Sequence, residues 1–472
     1  MFLNNKGSKT YFYILITVAI FYLIEYVTQS ALNWNDSWLP ASVDVSIVTT
    51  LSVWYLFKFR KDHLLCFELM FLPVLILSTF YSDIVLSALS YSTMGVGGAF
   101  NNALTQLSIN LKSRCVQILG ILLFLIGCTK GNILKERKSD TWSFSRKDIS
   151  INFTGIIYFI SFLLLAELVL NYMNGGFNTW FSYGTGLSDA ERNQGLGRID
   201  SLCLLGTIIE FARLAQLNIN SFRMFISEIN RLYLIEIIIV SSLLALSGNR
   251  NELLLILLPF VISYYLFVQK IPNKYIFLSL ILGIVFFVYS GLTRQGDAIT
   301  SSELDIYSVS RDFSPVEINC TYLVDYTDTH GAHFFSSLFA SLLGGVPFIG
   351  PLIFNSLGLS LSSQSTYITT AGLAAWEGTG LGTSIIGDLY YNAKLPFVCI
   401  FLYVLGYIIS RLHIRFCYER RYSMPLIIIY LYMTSNAVYF VRQQWDFPIP
   451  RMLYVYILLL VLCVLFKKNQ TI

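Results

Sequence analysis

Between Leu232 and Phe267 the chain reads LYLIEIIIVSSLLAL, then SGNRNELLL at Ser247–Leu255, then ILLPFVISYYLF. The flanking runs read as bilayer helices over 232–247 and 251–268, near the lower end of the roughly 17–25 residues that cross the hydrocarbon core. Asn249, Arg250, Asn251 and Glu252 are wedged between the runs with no room for a loop. Two such runs joined by so short a polar turn read as a membrane hairpin.

The rest of the chain agrees. Of its 472 residues, 55% are hydrophobic and only 13% are charged, with a mean hydropathy of +0.63. A soluble protein of this size carries roughly a quarter charged residues. The expected fold is all-α, a polytopic membrane protein forming one transmembrane domain over residues 1–472. Twelve spans are expected near 10–30, 42–58, 63–82, 113–129, 150–171, 200–217, 232–247, 251–268, 275–292, 393–412, 424–441 and 452–466. The first follows MFLNNKGSKT without a small-residue cleavage site, so it reads as an uncleaved span rather than a signal peptide. The fourth is short and has Lys112 and Arg114 at its start. Either its helix begins earlier, or YSTMGVGGAFNNALTQLS folds back into the interface.

Basic residues are retained on the cytoplasmic side. With the N-terminus inside, the segments KFRKDH, KGNILKERKSDTWSFSRK, NINSFRMFISEINR, QKIPNK, SRLHIRFCYERR and KKNQTI all face inward, and 22 of the 32 Lys and Arg residues lie on that side. Both termini are then cytoplasmic, as an even span count requires. The net charge of +4 thus reflects topology and gives no reason to expect nucleic acid. Two outer segments are long, 172–199 and 293–392. The second contains HFFSSLFASLLGGVPFIGPLIF, apolar but broken by Gly and Pro, which suggests interfacial or re-entrant helices. Cys66, Cys115, Cys128, Cys203, Cys320, Cys399, Cys417 and Cys463 show no CxxC or Cys/His ligand spacing and read as packing residues.

The outer cations are Lys112, Arg114, Arg192, Arg198, Arg250, Arg294, Arg311, Lys394, Arg442 and Arg451. The charge bias does not require them there. Arg250 is the sharpest case, because it sits at the hydrocarbon boundary and opens a helix whose first N–H groups are free. Arg beside a helix N-terminus binds anions well; the competing reading is an Arg that snorkels or pairs with Glu252. An anion met at the outer leaflet suggests a lipid-linked phosphate or pyrophosphate, which Arg forks grip bidentately. Arg294 and Arg311 open the long loop, Arg192 and Arg198 lie in the other, and Arg442 follows the eleventh span in VRQQWDFPIPR.

A second constellation, DYTDTHGAH, holds Asp325, Asp328, His330 and His333. Histidine with a nearby carboxylate suits general-base work on a sugar hydroxyl; the same set could hold a divalent metal, or form a solvated turn. Glu317 is a competing base. Among carboxylates within spans, Glu210 and Arg213 have the i,i+3 spacing of a structural pair. Glu68 and Glu236 lie toward cytoplasmic ends, where snorkelling is easy; Glu25 and Glu167 lie toward the outer ends. Trp34, Trp38, Trp180, Trp376 and Trp445 fall on the outer side, as an interfacial belt or as sugar-stacking rings. There is no Walker A, no Gly-rich nucleotide loop, no HExxH and no DxD. The substrate should therefore arrive already activated, in the membrane, with no cofactor.

In architecture the chain resembles the Wzy-type polymerases of oligosaccharide repeat units. SGNRNELLL resembles that family's small-Gly-x-Arg signature opening a helix. SRDFSPVEIN at Ser310–Asn319 resembles a run in enterobacterial common antigen polymerases. GTSIIGDLYYNAKLP at Gly382–Pro396 resembles the start of a late span, but carries Ala-Lys where a Gly commonly follows the Asn. The paired Arg and Gly loop motif of some members is absent.

The resemblance implies a GT-C-like enzyme of the bacterial inner membrane, joining repeat units carried on undecaprenyl pyrophosphate at the periplasmic face. His330, His333, Glu317 and Asp328 are then the catalytic candidates. Arg250, Arg294, Arg311, Arg192, Arg442 and Trp376 are the candidates for holding pyrophosphate and glycan, and no metal is implied. Membrane lipids and a chain-length regulator are the further expected partners. An O-antigen ligase acting on lipid A core and a flippase for the same substrate are the alternatives. The polar loop mass on one side, with no internal repeat, favours chemistry over transport.

Overall fold

A computed structural model describes residues 5–32, 38–81, 83–84, 111–133, 142–143, 151–173, 196–217, 219, 221–246, 250–279, 281–283, 314–334 and 383–467. Among these the chain is helical, with two isolated β-bridges and no strand. It divides into two units, one of Met1–Glu136, Leu304–Ile414 and Ala437–Phe447, the other of Arg137–Glu303, Arg415–Asn436 and Pro448–Ile472.

The first unit contains α1 (Asn5–Leu32), α2 (Ala41–Tyr55), α3 (Phe67–Thr79), α4 (Leu111–Ile133), α10 (Ser314–His330), most of α11 (Ile385–Cys417) and the short α13 (Ala437–Phe440). The second contains α5 (Phe153–Met173), α6 (Leu196–Gln216), α7 (Phe222–Glu228), α8 (Arg231–Leu246), α9 (Arg250–Phe267), α12 (Met424–Ser435) and α14 (Pro448–Leu465). Here α6 is central, packed by α5, α9, α12 and α14. Five described segments are long and apolar enough to cross a membrane: Gly7–Ala31, Leu111–Asn132, Phe153–Met173, Ile385–Cys417 and Pro448–Leu465. The α7–α8 pair, bent by 101°, makes a sixth if it counts as one span.

Several of the remaining expected spans are shorter or broken, whereas the sixth is the continuous Leu196–Gln216 helix. The third is only Phe67–Thr79; the ninth lies mostly outside the described residues. The eleventh is interrupted at Asn436 between α12 and α13. The fourth begins at Leu111, slightly before the expected start, and includes both Lys112 and Arg114; YSTMGVGGAFNNALTQLS lies outside the described residues. The tenth starts eight residues before the expected Ala393, at Ile385, so the end of the long loop is helical. It breaks at Ala393 and Lys394, because Pro396 has no N–H to give and its ring collides with the carbonyl four residues back.

In the first unit α4 is the axis. Its apolar window is 78% buried, against 28% for α1, and α1, α2, α3 and α10 pack around it. The approach of α11 is closer still. A Cβ on Gly127 would stand 2.0 Å from the Tyr403 carbonyl oxygen, and one on Gly406 would stand 2.3 Å from that of Phe124. Small residues let helix backbones touch in lipid, where packing rather than hydrophobicity drives association. Gly127→Val is therefore expected to separate α4 from α11 and empty the membrane fraction of protein. Quantitative immunoblotting checks this, and normal abundance with an unchanged Tm would contradict it.

Toward the same C-terminal end of α4, Arg60 is wholly buried. A π-helical turn at Leu56–Arg60 widens the end of α2 and sends this side chain inward. Its guanidinium pairs with Glu68 and donates to Asn132 Oδ1 and Ser410 Oγ, each at 2.7 Å. Tyr55 donates to Glu68 at 3.1 Å, and Asn132 Nδ2 donates to the Tyr55 hydroxyl at 2.9 Å. The expectation that Glu68 and Glu236 snorkel is corrected, since both are buried. Glu68 instead closes an internal polar network. Glu210 and Arg213 do form the pair their spacing implied, at 2.7 Å. None of the eight cysteines is in a disulfide, and six are buried.

Candidate functional site

On α10, Tyr322, Tyr326 and His330 recur every four residues, and so share one helix face. Tyr326 and His330 stack at 4.1 Å between centroids. Gly331 follows at φ +90°, the left-handed conformation that ends helices and that glycine adopts without a Cβ penalty. The chain turns back there, and the His333 amide donates to the Tyr391 carbonyl at 3.1 Å. The His333 ring lies 4.3 Å from Tyr391 and 6.2 Å from Tyr326. Four rings thus form a platform where α10 meets α11.

Asp328 lies beside it. One carboxylate oxygen accepts from the Tyr390 hydroxyl at 2.9 Å and stands 3.8 Å from Lys394 Nζ; the other pairs with Lys112. Tyr390 and Tyr26 share a hydrogen bond of 3.1 Å, and the Lys112 ammonium lies over the Tyr26 ring. Two ammonium groups and one carboxylate leave this cluster with an excess positive charge. Asp328 is held as an ion-paired acceptor that organises its neighbours.

The two histidines differ. His330 is exposed, and its Nδ1 lies 3.0 Å from the Tyr326 carbonyl. A carbonyl can only accept, so Nδ1 carries a proton, and in the neutral ring Nε2 then keeps the lone pair that a general base needs. His333 Nε2 is buried, with no hydrogen-bond partner among the described residues. Burial, then the neighbouring His330, holds the His333 pKa below its ordinary value. That ordinary value, which the unfolded chain keeps, is about 6.5. A depressed base contributes stability that is complete above the unfolded pKa and is lost as pH falls toward the folded one. The Tm of the purified protein should therefore fall between pH 7 and pH 5, and His333→Phe should flatten that fall. An equal fall in both proteins would contradict it.

Of the other sequence candidates, Glu317 is on α10 but eleven residues from Asp328, roughly 16 Å along the axis at 1.5 Å per residue, so it does not join the cluster. Arg442 is in the turn after α13, where its carbonyl accepts from the Thr383 amide at 3.1 Å and Val441 accepts from Ile385. Buried Asp388 fixes the same turn by accepting from the Trp445 amide at 3.0 Å. Arg192, Arg294, Arg311 and Trp376 lie outside the described residues. Arg114 pairs with Asp44 and Asp83, and Asp44 accepts from Tyr22. Glu25 accepts from the Trp38 amide at 2.9 Å.

In the second unit Arg250 is the first residue of α9. Glu252, one of the competing explanations for it, is buried and faces Arg451 at 3.7 Å. Arg451 also reaches Asp200 at 3.5 Å. These contacts tie the start of α9 to α6 and α14. Arg198 pairs with Glu167 at 3.4 Å. Among the described residues no group of three or more His, Cys, Asp or Glu could hold a metal ion.

The sequence reading missed Tyr26, Tyr326, Tyr390 and Tyr391, and it counted Lys112 and Lys394 only as outer cations. The four-residue recurrence of Tyr322, Tyr326 and His330 was the available signal. No curated protein and no solved structure matches the chain. A family model does, over residues 10–471. With its apolar helices, that match makes the chain a multi-pass membrane protein, and it belongs to the family described as O-antigen polysaccharide polymerase Wzy.

Proposed function

We infer that the chain elongates a glycan on undecaprenyl pyrophosphate at the periplasmic face of the bacterial inner membrane, with both termini in the cytoplasm. Family membership supports O-antigen repeat-unit polymerisation. The carrier, the face and the residue roles are the inference. The observation that carries the roles is the 3.0 Å approach of His330 Nδ1 to the Tyr326 carbonyl, which in the neutral ring leaves the lone pair on Nε2.

The acceptor is the terminal sugar of a second lipid-linked repeat unit. His330 Nε2 takes the proton from its hydroxyl as that oxygen attacks the donor's anomeric carbon. The bond from that carbon to the pyrophosphate oxygen breaks, and undecaprenyl pyrophosphate leaves with the electron pair. The rings of Tyr326, His333 and Tyr391 give the acceptor sugar a stacking surface. Asp328 anchors Tyr390 and Lys112 around it. Cations must neutralise the leaving group as its charge develops, and Arg250, at a helix start, is the donor-side candidate with Arg294, Arg311, Arg192 and Arg442. Glu317, distant along α10, is the reserve base, and Trp376 a glycan-stacking ring. A chain-length regulator is a proposed partner.

The test is the surface-polysaccharide ladder of a deletion strain. Single repeat units on lipid A core, restored to a ladder by the wild-type gene, support polymerisation. Bare core would instead point to ligation or flipping and overturn the reading.

A further inference from the structure

The break in α11 places Lys394 at φ 56° and ψ −163°. A Cβ is strongly disfavoured there, and glycine is the residue that normally occupies the region. A lysine so held needs compensation from its side chain, and the fold supplies little. Lys394 Nζ stands 3.8 Å from an Asp328 oxygen with its side chain 44% exposed, an arrangement in which an ion pair contributes little. Asp328 is already satisfied by Lys112 and Tyr390. What Lys394 does supply is the second ammonium, and with it the excess positive charge beside the platform of Tyr326, His330, His333 and Tyr391. Strain kept against stability is characteristic of sites that hold a ligand.

We propose that Lys394 is a substrate-binding residue, held in a strained conformation so that its ammonium meets an oxyanion of the glycan substrate at the ring platform. The oxyanion is either a phosphate at the lipid end or the carboxylate of an acidic sugar; both offer the charged oxygens an ammonium binds. This rests on the polymerase reading of the site.

The test compares wild type, Lys394→Gly and Lys394→Arg as full-length proteins at equal membrane abundance. Glycine releases the strain, so Lys394→Gly should raise Tm in detergent while lowering polymerisation on the order of tenfold or more, as loss of a charge-assisted contact does. Lys394→Arg keeps the charge and should keep most of the ladder. Inorganic pyrophosphate and glucuronate then identify the source: the probe that raises the Tm of wild type but not of Lys394→Gly names a lipid phosphate or an acidic sugar. A Lys394→Gly protein with a full ladder, or with a lowered Tm, overturns the proposal, as does a wild type that neither probe stabilises. A wild type that makes no ladder overturns the polymerase reading itself.

Discussion

His330→Gln is expected to leave membrane abundance and Tm unchanged and to lower polymerisation by about 10²–10⁴-fold, the usual contribution of a positioned general base. The side chain is exposed at the end of α10, so little packing is lost with it. Glutamine keeps an amide that can still donate to the Tyr326 carbonyl, but it has no basic nitrogen for the acceptor hydroxyl. Shortened ladders at normal protein level, quantified by gel and immunoblot, are the expected result. A wild-type ladder would remove His330 as the base.

The second large effect concerns folding. Arg60→Met should leave almost no folded protein. Glu68 is as fully buried as its partner, and the substitution strands its carboxylate without a cation, leaving neutral donors such as the Tyr55 hydroxyl. Removing one partner of a buried ion pair costs about 3–5 kcal/mol, a large part of the roughly 5–15 kcal/mol that holds a protein folded. Asn132 Oδ1 loses the Arg60 donor as well, and Ser410 Oγ loses one of its two donors, keeping the Asn132 amide. Arg60→Met combined with Glu68→Leu should recover much of the loss, because an apolar pair needs no solvation. Thermal unfolding of the purified variants measures both. A single variant as stable as wild type would show that the network contributes nothing.

Much of the membrane architecture was legible, because apolar length and charge bias act residue by residue along the chain. Helices α1, α4, α5 and α14 fall within a few residues of their expected spans. The breaks were less legible. The tenth span was expected to run unbroken through Pro396, and the start of α11 at Ile385 rests on contacts such as Gly387 lying against the backbone of Cys320. Arg60 read as one more cytoplasmic cation, since its partners Glu68, Asn132 and Ser410 are spread over 350 residues. The site was half visible. DYTDTHGAH drew notice as a run of polar groups, yet Asp328 is organised by Lys112 and Tyr390, from two other helices. Local spacing carries no record of such pairing.

The most direct measurement uses the purified full-length protein in lipid vesicles, supplied with a lipid-linked repeat unit and no nucleotide sugar. Wild type should build polymer and release one lipid pyrophosphate per bond formed, while His330→Gln, equally folded, should do neither at a comparable rate. Polymer from both proteins alike, or from neither, would contradict the central claim that this chain itself joins activated repeat units at the α10–α11 platform.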